Sequence, residues 1–142
     1  MKIVLANDHH GIELKKRVFK FFDEHNIEYI NLGCDEENNV DYVDYAKLLC
    51  ECIKDGKADY GILICGTGIG MSIAANKVSG IIAAKVNTPR EAQLCKEHNM
   101  ANVMTLAEYT ENLEEILENF VYTKPSTEER HLRRLEKINH LE

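Results

Sequence analysis

The chain has 142 residues, 44% hydrophobic and 29% charged, the balance of a globular domain that buries about two-thirds of its unfolded surface and needs no disulfide or metal to hold a core. Its net charge of −7, with no basic run interleaved with aromatics, argues against nucleic acid as a partner. No apolar run reaches the ~18 residues of a membrane span, and Met1-Lys2-Ile3-Val4-Leu5 reads as a short strand rather than a secretory signal, so no membrane is expected and the expected location is the cytoplasm.

Short apolar, β-branched runs alternate with stretches of helical period, the pattern of β-α units around a parallel sheet. Lys2 to Ala6 is the first strand. Gly11 to His25 is a helix with Ile12, Val18, Phe19 and Phe22 on its apolar face and Lys15, Lys16, Arg17 and Lys20 turned to water. Glu28 to Leu32 is a strand closed by Gly33, and Tyr42 to Lys54 is a helix stopped by Asp55-Gly56. Tyr60 to Cys65 lacks alternation and reads as the most buried strand. Next come a helix from Gly70 to about Val78, a strand from Ile81 to Lys85, and a helix from Pro89 to Glu97 with proline in its first turn. Asn102 to Leu106 is the fifth strand and Glu111 to Phe120 the next helix. A final helix, about residues 126–140, has Ser126 and Glu129 in capping-box spacing and Arg130, Arg134 and Ile138 on one face. With no linker or repeat, residues 1–142 read as one domain whose last helix packs on a partner subunit.

Five cysteines, Cys34, Cys50, Cys52, Cys65 and Cys95, form no C-x-x-C pair, and four read as small apolar fillers in a reducing compartment. Cys65 is set apart by the glycine-rich run on its carboxyl side. In a parallel sheet, ligands bind beyond the carboxyl ends of the strands. Those positions hold Asn7-Asp8-His9-His10-Gly11, Cys65-Gly66-Thr67-Gly68-Ile69-Gly70 and Asn87-Thr88, whereas His98-Asn99 closes a helix at the opposite pole. Three glycines in five residues let backbone approach a ligand, successive N–H groups at a helix start form a nest for negative charge, and the helix dipole favours a thiolate there. The spacing fits neither a dinucleotide fingerprint, because Met71 stands where a third glycine belongs, nor a nucleotide-binding P-loop, which needs Gly-Lys-Ser/Thr. Asp8, His9 and His10 lack a spaced second ligand pair for a metal. Arg130, Arg133 and Arg134 are the densest basic cluster for a small phosphate.

The run Gly61-Ile-Leu-Ile-Cys-Gly-Thr-Gly-Ile-Gly-Met-Ser-Ile-Ala-Ala-Asn-Lys77, with Asp8-His9, Asp41-Tyr42 and Glu97-His98-Asn99, closely resembles ribose-5-phosphate isomerase type B, a family that includes the galactose-6-phosphate isomerase subunits. The resemblance covers essentially the whole chain. It implies a Rossmann-like three-layer α/β/α fold with a five-stranded parallel sheet and a C-terminal helix used in dimerisation. It implies a homodimer, with pairing of dimers left open, and two sugar-phosphate sites at the subunit interface. Cys65 would take the C2 proton of the open-chain aldose, and N–H groups of Gly66, Thr67, Gly68, Ile69 and Gly70 would hold the cis-enediolate oxygen. His98 would open the furanose ring, helped by Asp8 and Thr67; Asn99 would hold a sugar hydroxyl and Tyr42 would border the substrate. His9, Arg130 and Arg134 would grip the phosphate, the arginines from one subunit's tail and His98 from the other's body. No metal or cofactor is implied.

The chain departs from the family pattern in four places. Leu106-Ala107-Glu108-Tyr109-Thr110 lacks the arginine usual after the fifth strand, with Arg90, Arg133 and Lys85 as candidate replacements. His10 stands where a small apolar residue is usual, Val43 where proline is usual, and Val86-Asn87-Thr88 where a Cys/His-Asp loop is common. The intact set of Cys65, Thr67 and His98 favours ribose 5-phosphate as substrate. A six-carbon sugar phosphate, allose 6-phosphate or galactose 6-phosphate, is the alternative, and a non-catalytic phosphosugar-binding module is the rival of another class.

Overall fold

In a computed structural model that describes residues 1–36 and 38–141, strands and helices alternate along the chain. Their order is β1 (Lys2–Asn7), α1 (Ile12–Glu24), β2 (Glu28–Asn31), α2 (Tyr42–Lys54), β3 (Tyr60–Cys65), α3 (Ile69–Asn76), β4 (Ala83–Lys85), α4 (Pro89–Glu97), β5 (Val103–Ala107), α5 (Leu113–Tyr122) and α6 (Glu129–Asn139). All five strands run parallel, in the order β2-β1-β3-β5-β4. From β1 the chain steps outward to β2 and then back across to β3, so the direction of winding reverses between β1 and β3. Helices that leave two neighbouring strand ends in opposite directions open a crevice there.

Side chains on a strand point to alternate faces, and here both faces are covered. Ile3, Leu5, Ile62, Ile64, Met104 and Leu106 meet Val18, Phe22, Leu113 and Phe120 on one side of the sheet. Val4, Ala6, Leu63 and Cys65 meet Ala46, Leu49, Met71 and Ala75 on the other. That double burial explains why β3 shows no alternation. It also points the Cys65 side chain toward the α2–α3 layer.

Element types match the sequence reading throughout, and boundaries shift by a few residues at most. Thr88 caps α4, accepting the Glu91 N–H at 3.1 Å with Pro89 in the first turn. Two expectations are corrected. Ser126 does not cap α6: its Oγ accepts the Glu128 N–H, and Glu128 holds the N-cap position without a side-chain bond. Lys15, placed on the wet face of α1, is 3% exposed; its ammonium reaches back to the Cys34 carbonyl at 2.8 Å and the Asp35 carboxylate at 2.5 Å, tying the loop after β2 to α1. Helical period alone cannot foresee a loop that folds over a polar face.

All five cysteines are free and buried. Burial pushes the thiols of Cys50 and Cys95 up to about 11, as expected of inert fillers. Among the described residues no helix is long and apolar enough to cross a membrane. Outside the sheet layers, α6 buries only His131 and exposes Leu132 and Ile138.

Candidate active site

Register brings the sequence-predicted loops together at the crevice. Asn7 pairs with Ile64, Cys65 with Ala107, and the Asp8 N–H bonds the Ile64 carbonyl at 3.1 Å, so the segments after β1, β3 and β5 leave the sheet side by side. Asp8 is buried and accepts the His10 N–H at 2.9 Å, which closes a single 3-10 turn over His9–Gly11. The Val40 N–H points at His9 Nδ1, 3.3 Å away. A nitrogen that accepts carries no proton, so neutral His9 keeps its proton on Nε2 and can donate from there. The Tyr42 ring lies against the backbone of Gly70, where a Cβ would come within 2.6 Å of it.

The Cys65 sulfur accepts the Gly68 N–H at 3.1 Å, and Thr67 Oγ1 accepts the Ile69 N–H at 3.1 Å. The expected ring of donors from Gly66 to Gly70 is thus partly spent on the turn itself. N–H groups of Gly66, Thr67 and Gly70 have no acceptor among the described residues. Cys65 is 4% exposed in the isolated chain, a tighter setting than its expected role implies. A reacting carbon would have to sit directly on the turn's backbone to meet the sulfur.

Gly68 is the residue that makes this turn possible. Its φ of +77° is a conformation L side chains rarely adopt, and a Cβ there would stand 3.0 Å from the Leu106 carbonyl carbon, which is backbone of a central strand and cannot yield. Gly68→Ala is expected to cost about 2–4 kcal/mol in urea denaturation, from left-handed strain plus overpacking. A loss below about 1 kcal/mol would contradict both causes.

A second cluster forms at the other pole. His98 ends α4, and with Asn99, His131, Arg134, Leu135 and Ile138 it lines a pocket between α4 and α6 of about 200 Å³. His98 and Arg134 line one pocket of one chain, against the expectation that they come from different subunits. Arg130 is paired with Glu128 at 2.9 Å and Arg133 with Glu129 at 2.9 Å, while Arg134 makes no ion pair among the described residues. As for the candidate replacements of the missing arginine, Arg90 bonds Gln93, Lys85 bonds Asn87 and Arg133 is paired, so none is turned to the crevice by its contacts.

The two clusters are far apart within a chain. Gly61 pairs with Val103 and Cys65 with Ala107, so the α4–β5 connection enters four strand steps, about 13 Å, from the Cys65 end of the sheet. Two residues near the clusters escaped the sequence reading. Glu108 bonds the Cys65 carbonyl through its N–H at 3.0 Å and sets its carboxylate 3.1 Å from His10 Nδ1; the strand-end rule that picked Asp8 applies to it equally. His131 stacks on His98, and its signal was the three-residue spacing to Arg134. No group of three or more His, Cys, Asp or Glu among the described residues is arranged for a metal ion.

Residues 3–138 match the ribose/galactose isomerase family. The chain belongs to that family. Ribose-5-phosphate isomerase B of Escherichia coli is 40% identical over 113 residues, 80% of this chain and 76% of that one. The structure of a ribose 5-phosphate isomerase from Thermotoga maritima superposes with a TM-score of 0.93 at 41% identity, covering 99% of this chain and 98% of the other. That of ribose-5-phosphate isomerase B from Mycoplasma genitalium with bound ribulose 5-phosphate gives 0.89 at 36% identity, covering 97% and 93%. This ribose/galactose isomerase therefore shares the α/β/α architecture of its relatives along nearly its whole length.

Proposed function

We propose that this isomerase interconverts ribose 5-phosphate and ribulose 5-phosphate through a cis-enediolate, as a homodimer whose sites each draw on both subunits. The observation that carries the reading is the Cys65 sulfur held in a turn that leaves the amides of Gly66, Thr67 and Gly70 free. Names and a bound product among relatives support the same substrate.

Each group has a step that suits its position. His98, with buried Asp8 opposite, moves the proton of the O1 hydroxyl and protonates the ring oxygen, giving the open-chain aldehyde. Cys65 removes the proton from C2, and the charge that develops on O1 falls to the free main-chain amides; one such donor is worth about 3 kcal/mol in a transition state. The O2 hydroxyl proton passes to O1, the thiol returns a proton to C1, and the ketose results. His9 through Nε2, with Arg134 and Arg130, holds the phosphate.

One chain cannot do this, since His98 and Arg134 lie at the pole opposite Cys65. Exposed apolar side chains supply a way to join two copies: Val43, Leu48, Ile69 and Ile73 on α2 and α3 beside the turn, and Leu132 and Ile138 on α6. The reading requires a two-fold pair that covers them and brings the His98 pocket of one subunit to the Cys65 turn of the other.

In deuterated water the wild-type protein is expected to form ribulose 5-phosphate from ribose 5-phosphate and to carry deuterium into the carbon that gains the proton, read by NMR. Sugar phosphate bound without conversion would leave only a binding module. One observation favours a six-carbon substrate: where an arginine is usual after β5, Glu108 stands paired with His10. Faster turnover of allose 6-phosphate or galactose 6-phosphate in the same assay would select that reading.

A further inference from the structure

His98 ends α4, where its side chain is free of the helix and 38% exposed. Such a ring would ordinarily sample several rotamers. Here its face is covered by the His131 ring, with centroids 4.3 Å apart and planes 11° from parallel. His131 is 6% exposed and is the only residue that α6 buries. The chain ahead of α6 is fixed to the same spot by its backbone, the Ser126 N–H donating to the Glu97 carbonyl at 2.8 Å.

We infer that His131 is a positioning residue for His98: a buried ring carried by α6 against which the His98 imidazole is held flat at the edge of the pocket it shares with Asn99 and Arg134. The inference rests on the ring-opening role proposed for His98. An uncharged His131 avoids like-charge repulsion in the stack, and its surroundings favour that form. Burial lowers its pKa, and the neighbouring His98, Arg130 and Arg134 lower it further, against an opposing pull from Glu128, whose carboxylate is 3.8 Å from His131 Nε2. From α4, Glu97 approaches His98 Nε2 at 4.0 Å and adds a second carboxylate at the rim. Proton transfer to a ring oxygen requires the imidazole nitrogen within hydrogen-bond reach in a fixed direction, so a ring left to swing loses rate and not affinity.

The test is a pair of substitutions in the full-length protein. His131→Ala removes the platform and is expected to lower kcat for ribose 5-phosphate on the order of tenfold with KM within about twofold. His131→Phe keeps a flat ring of similar size and is expected to recover most of the loss. In both variants the His98 ring is followed by NMR of selectively labelled histidine, and rotamer averaging is expected in His131→Ala alone. An unchanged kcat in His131→Ala, or His131→Phe as slow as His131→Ala, overturns the inference. The NMR readout does not need turnover, so a protein inactive on every sugar phosphate, which would sink the isomerase reading, still reports whether His131 orders His98.

Discussion

Cys65→Ala is expected to lower turnover roughly 10³-fold, the usual worth of a positioned proton-transfer group, while leaving the fold intact. The sulfur is buried in the α2–α3 core layer but alanine fills most of its volume, and the turn loses one N–H···S contact from Gly68. His98→Ala should be comparably slow on ring-closed substrate. The decisive result comes from the two together. If each site takes Cys65 from one subunit and His98 from the other, a hybrid of the two variants holds one site with both lesions and one with neither. Co-expressed in equal amounts, half the dimers are hybrids with one of two sites intact, and about a quarter of wild-type activity returns. Sites complete within one chain would return nothing. The separation of the two clusters along the sheet makes recovery the expected outcome.

Lys96→Met is expected to stabilise the protein at neutral pH. Lys96 is 2% exposed, its ammonium 4.1 Å from the Tyr60 ring centroid and 5.3 Å from that of Phe120, with one long contact to the Val121 carbonyl. Burial lowers its pKa to about 8 from the ordinary 10.5, opposed only by the neighbouring Cys95. The folded state therefore disfavours the charged form. Below pH 8 both states are protonated and the whole penalty is present; from 8 to 10.5 the unfolded chain binds more protons than the folded one, so this lysine's contribution to stability rises with pH. The shift alone corresponds to about 3 kcal/mol. Solvent screening and the attraction of two aromatic rings offset part of it, leaving about 1–2 kcal/mol. Methionine matches the stem without the charge, and a Tm higher by about 3–8 °C at pH 7 is expected, with the difference from wild type shrinking as pH rises through 8 toward 10.5. A variant less stable than wild type at pH 7 would show that the two rings hold the cation more tightly than burial penalises it.

Glu108 and Lys15 show where sequence and structure part. Both sit where a simple rule gave a simple answer: Glu108 in a segment read for the arginine it lacks, Lys15 on a helical face read as wet. Each acquired its role from a segment distant along the chain, His10 for the first and residues 34–35 for the second. Ser126 is the reverse case. Its capping-box spacing to Glu129 was present, but the backbone there is committed to Glu97, and α6 starts a few residues later.

Local rules were sufficient for much else. Short apolar, β-branched runs alternating with stretches of 3.6-residue period, with glycine and proline at the breaks, determined five strands, six helices and a parallel sheet, because hydrophobic faces must be buried and parallel strands need crossover connections. The strand-end rule and the glycine spacing after Cys65 located the crevice loops, since only glycine permits that turn at Gly68. The order of strands, with β5 placed between β3 and β4, was decided by tertiary packing, as was the position of His98 on Arg134's side of the molecule and against His131. Those are contacts between segments tens of residues apart, and no local periodicity encodes them.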